Sequence, residues 1–481
     1  MKNYIEIYIN GKPYQVSGSD IFLPLSEYLR SRIHLKGTKE VCIEGDCGAC
    51  TTLIGRFKNE KIQYETVDSC ICYIYQLNKC HIVTVEGVKN SKLHPIQETM
   101  IKNHGAQCGY CTPGFIVSLC SFFNDYQNSS NSKVITKKDI QDTLTGNLCR
   151  CTGYETIIEA ALSVDKRTIE KLADTYPKEK LSNISKENSE SIAIETKNRY
   201  FYEPVSLQEA LELKDKHNDA TLVAGGTDLH VTCNKKDFKP QKIIHLSNLK
   251  ELKSIEANNQ HLIVGAGVTL SEFELTASKY YPGLKEFMEL FASPQIKNIA
   301  TLAGNIANAS PIGDTLPFLF IMEAMLTLES TKKKREININ NFYKGYKILD
   351  KETSEILTKI SIPLLSKNET LRLYKVSKRR HLDISSFSAA IKLEKENERV
   401  KSISIAFGGV GPTVIRAKEI EEYLIEKEFT QNTFENASNL LDKIITPISD
   451  VRGSREYRLQ LAKNSLMKLY FDLKEKEKVL I

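Results

Sequence analysis

Two sets of four cysteines, both within the first 151 residues, constrain this chain of 481 residues more than any other feature. The first set lies in the segment VCIEGDCGACTTLIG and in the VDSC that follows it: Cys42, Cys47, Cys50 and Cys70. The second set comes from QCGYCTPG and LCRCTGY: Cys108, Cys111, Cys149 and Cys151. Four thiolates complete the ligands of one [2Fe–2S] cluster, so two sets predict two clusters. Two one-electron centres in one chain indicate electron transfer.

The spacing of the first set, C-x4-C-x2-C with a distant fourth cysteine, is typical of plant-type ferredoxins. Gly45 and Gly48 allow a tight loop that directs backbone N–H groups at a cluster, where a Cβ atom would obstruct the approach. The small side chain of Ala49 avoids crowding in the same loop. We therefore expect this loop to wrap closely around a cluster.

The second set consists of a C-x2-C pair, then thirty-seven residues, then a C-x-C pair. Pro113 follows the first pair and suits the first turn of a helix. Thr152 follows the second pair and is predicted to be the N-cap of a helix that contains residues 154–161. Both pairs are thus expected at helix N-termini, where the helix dipole favours an anionic cluster.

Zinc and disulfides are the alternatives to iron for these cysteines. Zinc accepts four cysteines and C-x2-C is a common zinc half-site, but C-x4-C-x2-C and C-x-C are unusual ones. Disulfides are disfavoured because residues 1–10 alternate like a strand and do not resemble a secretion signal. The fourth ligand of the first set stays open between Cys70 and the nearby Cys72. The other cysteines are expected to be small buried hydrophobes without a role: Cys80, Cys120 and Cys233.

Composition excludes several functional classes. The formal charge of +6, from 66 basic and 60 acidic residues, is nearly balanced and argues against nucleic-acid binding. The longest apolar run, residues 115–123, contains two serines and is about half as long as a membrane span. With reduced cysteines, the chain is expected to be a soluble cytoplasmic protein that contacts neither nucleic acid nor membrane.

The first part of the chain combines strand and helix patterns. Asn10 and Gly11 separate two alternating runs within residues 5–16, which is a strong hairpin signal. Residues 24–32 have helical spacing, and TTLIGRF and HIVTVEGV resemble strands. A small sheet crossed by one helix is the β-grasp shape. Four helical patterns follow up to about residue 165, which predicts a four-helix bundle: PIQETMIKNH, GFIVSLCSFFNDY, KKDIQDTL and YETIIEAALSV.

Two glycine-bearing motifs follow a polar segment, residues 166–198, that we interpret as a flexible linker. In LVAGGTDLH, residues 222–230, an apolar strand ends at two glycines and a threonine, so bare N–H groups could approach a pyrophosphate. In FASPQIKNIATLAGNIANASPIGD, residues 291–314, small and amide side chains concentrate as a nucleotide diphosphate would require. Each motif alone could be an ordinary turn. No G-x-G-x-x-G follows a strand, so a dinucleotide here would bind outside a Rossmann fold.

Taken in order, CIEGDCGAC, VDSC, QCGYCTPG, LCRCTGY, LVAGGTDL and TLAGNIANASPIGD resemble the xanthine dehydrogenase family of molybdenum hydroxylases. More narrowly, the chain is similar to the small subunit of that family, which joins two iron–sulfur domains to an FAD domain. The resemblance covers nearly the whole chain apart from the linker, and its six motifs are highly specific.

The resemblance implies an α+β multidomain fold. Its parts would be a β-grasp [2Fe–2S] ferredoxin domain at residues 1–90 and a four-helix-bundle [2Fe–2S] domain at residues 91–165. After the linker, a non-Rossmann α+β FAD-binding domain would span residues 199–368. An α+β tail subdomain of the FAD domain would complete the chain at residues 369–481.

The family's cofactor contacts carry over onto matching positions of this chain. The first glycine motif would cradle the FAD diphosphate: Leu222, Val223, Ala224, Gly225, Gly226, Thr227, Asp228 and Leu229. Further FAD contacts are implied in or after the second motif: Phe291 near the isoalloxazine, Thr301, Leu302, Ala303, Gly304, Asn305, Asp314, Leu357 and Lys375. Gln107 matches a glutamine that hydrogen-bonds the molybdopterin of the partner. Leu382 departs from the family, which often has an acidic residue there near the flavin.

The resemblance also implies the function. A molybdopterin-binding large subunit would convert hypoxanthine or xanthine to urate and pass electrons through the second and then the first cluster to FAD and NAD⁺. The chain itself would supply no catalytic residue, and the expected assembly is a heterodimer that dimerises further. Three alternatives stay open: an aldehyde or another N-heterocycle as substrate, oxygen as the acceptor, or a partnerless redox carrier or sensor.

Overall fold

The computed structural model describes residues 1–58, 60–89, 92–128, 134–181, 183–184 and 190–479, without the side chains of 476–479. Two compact units divide the chain. The first unit contains residues 1–210, 219–249 and 293–300, and the second contains residues 211–218, 250–292 and 301–481. The expected boundary between the two iron–sulfur domains, at residues 90 and 91, lies outside the described residues.

The first unit opens with a five-stranded mixed sheet crossed by one helix. The strands lie in this spatial order: Lys12–Val16, Ile5–Ile9, Cys80–Val83, Thr51–Lys58 and Lys61–Asp68. Asn10 and Gly11 form the predicted hairpin turn with φ angles of 49° and 80°. Helix Leu25–Ser31 packs Leu25 and Leu29 onto the sheet, where both side chains are fully buried. The sheet and its helix therefore have the β-grasp shape that the pattern predicts.

A bundle of four helices follows, as the sequence predicts: Pro95–Lys102, Thr112–Asn128, Lys137–Thr143 and Glu155–Leu162. Its core contains Phe115, Phe123 and Ile157, each at most 1% exposed. The predicted cap of the last helix is wrong. Tyr154, at φ 71°, occupies the N-cap position, and the Thr152 hydroxyl instead accepts a hydrogen bond from the Tyr154 backbone N–H over 3.2 Å.

The segment 166–198 differs from the expected flexible linker in its described parts. It contains short helices and one strand: Lys166–Thr168, Leu172–Thr175, Lys178–Leu181 and Ile192–Glu195. Leu172 and Leu181 are 3% and 0% exposed, because these widely spaced apolar side chains pack into cores formed by earlier residues. Such spacing has no helical or strand period, so the sequence pattern did not reveal them. Residues 182 and 185–189 lie outside the described residues.

A four-stranded sheet completes the first unit, with this spatial order: Ile192–Glu195, Tyr200–Glu203, Lys242–His245 and Thr221–Val223. Helix Thr227–Lys236 follows the last of these strands through Gly225 and Gly226. A short helix, Pro294–Lys297, also belongs to this unit. Helix Leu207–Lys216 lies between the second and third strands in sequence, and its residues after Ala210 belong to the second unit.

The second unit contains two larger antiparallel sheets. The first has the spatial order Ile255–Ala257, His261–Gly265, Ile356–Pro363, Met325–Glu329 and Lys334–Asn338. The second has the order Glu369–Val376, Phe387–Glu396, Arg399–Gly408 and Ile415–Arg416. A small hairpin joins Tyr343–Gly345 to Ile348–Leu349. No sheet among the described residues of the nucleotide-motif region is an all-parallel Rossmann sheet, in agreement with the sequence.

Helices surround these sheets within the second unit. Those before the last sheet are Leu270–Ala277, Leu284–Leu290, Leu302–Asn308, Thr315–Ile321 and Ile339–Phe342. Three more follow it: Lys418–Leu424, Gln431–Ile444 and Arg455–Val479. Phe387, Phe407 and Phe434 form the core between this last sheet and the helices behind it. Across the described ranges, none of the helices combines the length and apolar character that a membrane span requires.

Candidate functional site: two thiol clusters and a glycine turn

The four thiols of the first set lie together in the first unit. The Cys42 thiol interacts with the thiols of Cys47 and Cys70, and Cys70 also interacts with Cys50. The hydrogen bonds of Cys47 and Cys70 lower the pKa of Cys42, while the same Cys42–Cys47 hydrogen bond raises the pKa of Cys47. A fifth group, the backbone N–H of Asp46, points at the Cys42 sulfur over 3.4 Å. Because these thiols are neighbours and an N–H donor faces them, the residues fit a [2Fe–2S] cluster.

The loop between Cys42 and Cys50 curls as its glycines predict. Gly45 and Gly48 have φ angles of 75° and 66°. A Cβ atom on Gly45 would lie 2.5 Å from the side chain of Ile71, and one on Gly48 would lie 2.1 Å from the carbonyl oxygen of Gly146. Ile43 adopts a positive φ of 54° in the same loop, which is unusual for a β-branched residue.

The geometry favours Cys70 over Cys72 as the fourth ligand. Cys70 interacts with Cys42 and Cys50, whereas Cys72 is fully buried in the hydrophobic core of the β-grasp sheet. Burial raises the pKa of the Cys72 thiol to about 12, which keeps it protonated. Residues two apart in a strand would share a face. The chain turns at residues 69–71, so Cys70 and Cys72 lie in different surroundings, and the sequence does not show this turn.

The thiols of the second set form two pairs at the N-terminal ends of two bundle helices. The Cys108 and Cys151 sulfurs are 3.7 Å apart, and Cys111 pairs with Cys149. The Cys149 sulfur faces the backbone N–H of Cys151 over 3.4 Å. Cys108 and Cys151 are exposed, as is Gln107, whereas Cys149 is buried. Across the described parts of the chain, no three His, Cys, Asp or Glu side chains converge as a single metal ion would require.

A hydrogen-bond network connects the two sets, and sequence reasoning missed it. The backbone N–H of Leu148, beside Cys149, donates to the carbonyl of Cys47 over 3.0 Å. The Asn147 side chain donates to the carbonyl of Gly48 over 3.1 Å. Gln295, which is 1% exposed, points its amide at the Asn147 oxygen over 3.3 Å. Asn147 could have been suspected from the sequence because it directly precedes LCRC. Nothing in the sequence indicated that Gln295 lies near the cysteines.

The first glycine motif forms the predicted strand–turn–helix in the first unit. Gly226, with φ 70°, occupies the N-cap of helix Thr227–Lys236 and has no side chain to cap it, so the N–H groups of the first turn are left to other acceptors. A Cβ on Gly225 would lie 2.1 Å from the carbonyl oxygen of Ile299, and one on Gly226 would lie 2.4 Å from the His230 ring. An uncapped helix start on bare backbone fits an anionic diphosphate such as that of FAD.

The second motif is divided between the units: residues 293–300 belong to the first unit, and the candidate contacts from Thr301 to Asp314 belong to the second. Thr301 caps helix Leu302–Asn308 by accepting the Gly304 N–H over 3.0 Å. The Asn305 oxygen accepts the Thr315 hydroxyl over 2.6 Å. Thr301 therefore caps the start of the helix, and Asn305 connects the helix to helix Thr315–Ile321. Their contact with FAD stays a prediction. Leu302 and Ala303 are buried in this helix.

Lys375 and Asp314 form a buried ion pair with each other. The Lys375 ammonium donates to the Asp314 carboxylate over 2.6 Å, to the Asp383 carbonyl over 2.9 Å and to the Ser385 hydroxyl over 2.9 Å. An ammonium has three N–H donors, so these contacts use all of them. A contact between Lys375 and FAD stays a prediction.

The remaining implied contacts lie apart from that ion pair. Leu357 is 7% exposed in strand Ile356–Pro363, where it pairs with Leu328. Phe291 ends helix Leu284–Leu290 and is partly exposed. Leu382 has a positive φ of 74°. Because Leu382 is not a glycine, this backbone conformation is uncommon and marks a tight turn.

Three family models match the chain. The "[2Fe-2S] binding domain" model matches residues 84–162, which contain the whole second set of cysteines. The "FAD binding domain in molybdopterin dehydrogenase" model matches residues 193–365, which contain both glycine motifs. The "CO dehydrogenase flavoprotein C-terminal domain" model matches residues 372–473, which contain Lys375.

Similar curated proteins include two oxidoreductases. The chain is 30% identical to the xanthine dehydrogenase of Emericella nidulans over 98% of its own length and 38% of that protein. It is 28% identical to aldehyde oxidase 1 of Bos taurus over 97% of its own length and 39% of that protein. The chain thus spans under two fifths of the length of these relatives.

Solved structures give a similar result. The carbon monoxide dehydrogenase of Hydrogenophaga pseudoflava aligns with a TM-score of 0.53 and 26% identity over 56% of this chain and 94% of that chain. Quinoline 2-oxidoreductase of Pseudomonas putida 86 aligns with a TM-score of 0.53 and 27% identity, with the same coverage. The chain therefore contains a [2Fe–2S]-binding domain and an FAD-binding domain similar to those of molybdenum hydroxylases.

Proposed function

We propose that this chain is the iron–sulfur and FAD part of a xanthine dehydrogenase. A molybdopterin-binding partner would hydroxylate hypoxanthine and xanthine to urate. The chain would carry the electrons through two [2Fe–2S] clusters to FAD and then to NAD⁺. The assembly would be a heterodimer that dimerises further. Support comes from the similarity to xanthine dehydrogenases at 28–30% identity and from the arrangement of thiols in the first unit.

The observation that carries the electron-transfer proposal is the hydrogen bond from Leu148 to Cys47. Leu148 precedes Cys149 of the second set in the chain, and its N–H donates to the carbonyl of Cys47 of the first set over 3.0 Å. One backbone hydrogen bond therefore connects the two sets. A Cβ on Gly114 would lie 2.0 Å from the Gly48 oxygen, so the helix behind the second set packs against the loop of the first. The segments that carry the two sets are thus in direct contact.

The two sets differ in exposure in a way that supports a direction of transfer. Cys108 and Cys151 of the second set are exposed, whereas Cys50 and Cys70 of the first set are each 2% exposed. Electrons from a partner would therefore enter at the second set. Gln107, exposed beside Cys108, would hydrogen-bond the molybdopterin of that partner.

The FAD would convert single electrons from the clusters into the two-electron reduction of a nicotinamide, because flavins exchange electrons both singly and in pairs. The protein's part is to bind it. The uncapped start of helix Thr227–Lys236 would hold the diphosphate, and Phe291 would pack near the ring system.

Similar proteins differ in the substrate that their names give. Aldehyde oxidase 1 of Bos taurus is 28% identical to this chain, close to the value for the xanthine dehydrogenases. The chain would not contact the substrate, so an aldehyde or another N-heterocycle is the second candidate. Oxygen as acceptor and a partnerless redox carrier are the others.

Co-purification of the chain with its molybdopterin-binding partner tests the proposal. The metallated complex is assayed for urate formation from xanthine, once with NAD⁺ and once with oxygen. We expect NAD⁺-dependent urate. Its absence, together with turnover of an aldehyde, would replace the purine proposal by the second candidate. Iron and FAD analysis of the chain alone checks the cofactors: we expect four irons from two [2Fe–2S] clusters.

A further inference from the structure

We propose that Asn234, on helix Thr227–Lys236, is a positioning residue that clamps the two ligand-bearing loops of the first iron–sulfur site. The inference rests on the proposed function, because it assigns that site a [2Fe–2S] cluster. Asn234 belongs to the segment that follows the first glycine motif, and it lies 191 residues from one loop and 164 residues from the other in sequence. No pattern in the sequence singles it out.

The side chain of Asn234 uses both of its N–H donors and accepts one hydrogen bond at its oxygen. Its Nδ2 donates to the carbonyl of Ile43 over 2.9 Å and to the carbonyl of Cys70 over 2.8 Å. Its Oδ1 accepts the hydroxyl of Tyr73 over 2.9 Å. Ile43 follows Cys42 in the chain, so the two carbonyls belong to the loops that carry Cys42 and Cys70. One planar amide thus fixes the separation of two loops whose thiols must bind the same cluster.

The conformation of Ile43 shows why a clamp is needed. Ile43 has a φ of 54°, a left-handed conformation that is costly for a side chain branched at Cβ. Such a conformation persists only where surrounding contacts over-determine it. The hydrogen bond from Asn234 to the Ile43 carbonyl is such a contact. Without it, the loop is expected to relax and move the Cys42 thiol away from Cys70.

Neighbouring residues of the helix reinforce the same face. His230, one turn before Asn234, donates from Nδ1 to the carbonyl of Ile71 over 2.8 Å. Val231 packs against the buried group formed by Cys50, Cys70 and Ile71. The helix therefore contacts the cysteine loops along one side, and Asn234 is the member of this face that binds both loops at once.

Iron release from the anaerobically purified chain tests the clamp. A chelator is added, and the two iron–sulfur paramagnetic signals are followed separately, after Cys149→Ser has shown which signal belongs to the second set. Losing the two hydrogen bonds to the cysteine loops and freeing a strained loop should make the first cluster of Asn234→Ala decay about tenfold faster. The second signal should decay at the wild-type rate. The midpoint potential of the first cluster alone should also shift.

Three further variants separate clamping from general damage. Asn234→Asp keeps an acceptor for Tyr73 but lacks the two N–H donors, so it should behave like Asn234→Ala. Lys236→Ala is the matched control, because Lys236 is the last residue of the same helix and its side chain is exposed. Its rates should equal those of the wild type. In the Asn234→Ala background, Ile43→Gly should slow the decay again, because glycine adopts a positive φ without strain.

The outcomes distinguish this inference from the proposed function. If the wild-type chain shows neither iron–sulfur signal, the proposed function is contradicted, and so is the proposed clamp. If both signals are present and Asn234→Ala and Asn234→Asp decay like Lys236→Ala, the clamp alone is overturned. Should Asn234→Ala not fold, Ile43→Gly in the wild-type chain is decisive: slower loss of the first cluster supports the inference, and an unchanged rate contradicts it.

Discussion

The ammonium of Lys375 lies 2.6 Å from the carboxylate of Asp314, and the two side chains are only 2% and 4% exposed. Ser385 donates a further hydrogen bond to the same carboxylate over 2.6 Å. A buried ion pair of this kind contributes little as a pair but is costly to break, because the remaining charge is left without a partner.

Lys375→Met should therefore destabilise the second unit by about 3 kcal/mol, since it removes one member of a buried pair. Denaturant unfolding measures the change. Lys378→Met is the matched control, because Lys378 is exposed and its Nζ donates to the carbonyl of Val451. Equal unfolding midpoints for the two variants would mean that the pair does not support the fold. FAD content, measured in parallel, tests whether Lys375 also contacts the flavin.

Two glycines with similar backbone angles should respond differently to substitution. Gly48 has φ 66° and a Cβ there would meet the Gly146 oxygen at 2.1 Å. Gly109 has φ 78°, and no heavy atom of the described residues lies within 4 Å of its Cβ position. Gly109→Ala should cost only about 1–2 kcal/mol for the left-handed conformation. Gly48→Ala should also force the two cysteine loops apart, which iron analysis would show as loss of the first cluster.

Cysteine substitutions test the ligand assignment. Cys149→Ser should remove one of two distinguishable iron–sulfur signals while FAD stays bound, because FAD would depend on other residues. Cys72→Ser should retain both signals, since Cys72 lies in the hydrophobic core and not among the thiols. Loss of a signal in Cys72→Ser without loss of folding, with both signals intact in Cys70→Ser, would exchange these two assignments.

Acid should destabilise the first unit through His81. Gly11 donates its N–H to Nε2 of His81 over 3.0 Å, so Nδ1 carries the proton and donates to the Tyr64 hydroxyl over 2.7 Å. Burial lowers the pKa of His81 to about 3. The folded state thus binds this proton less readily than the unfolded chain, whose histidine pKa is about 6.5. The stability of the neutral form is complete above pH 6.5 and declines as pH falls toward 3.

The measurement is the unfolding free energy at pH 7 and pH 5. His81 should contribute a loss of about 1.4 kcal/mol per pH unit below 6.5. His81→Gln keeps an acceptor for the Gly11 N–H but does not titrate, so its stability should fall less over this interval. Identical pH profiles for the variant and the wild type would show that His81 does not titrate on unfolding.

Local patterns predicted many elements. The turn at Asn10 and Gly11 and the four bundle helices were predictable because φ preferences and helical periodicity act over a few residues. The cap at Thr152 was not, since Tyr154 adopts a left-handed conformation that no short-range preference requires. The burial of Leu172 and Leu181 was not predictable for a related reason. An isolated apolar residue has no periodic pattern, so its burial depends on partners that are distant in sequence.

The sequence by itself determined which chemical groups are present and how closely they are spaced along the chain: two sets of four thiols, and a glycine turn that leaves a helix start uncapped. The tertiary structure decided which groups meet. It placed Cys70 and not Cys72 among the thiols, enclosed Lys375 with Asp314, and brought Asn234 to Ile43 across 191 residues. Contacts over such separations depend on how whole elements pack, and a one-dimensional pattern does not contain that information.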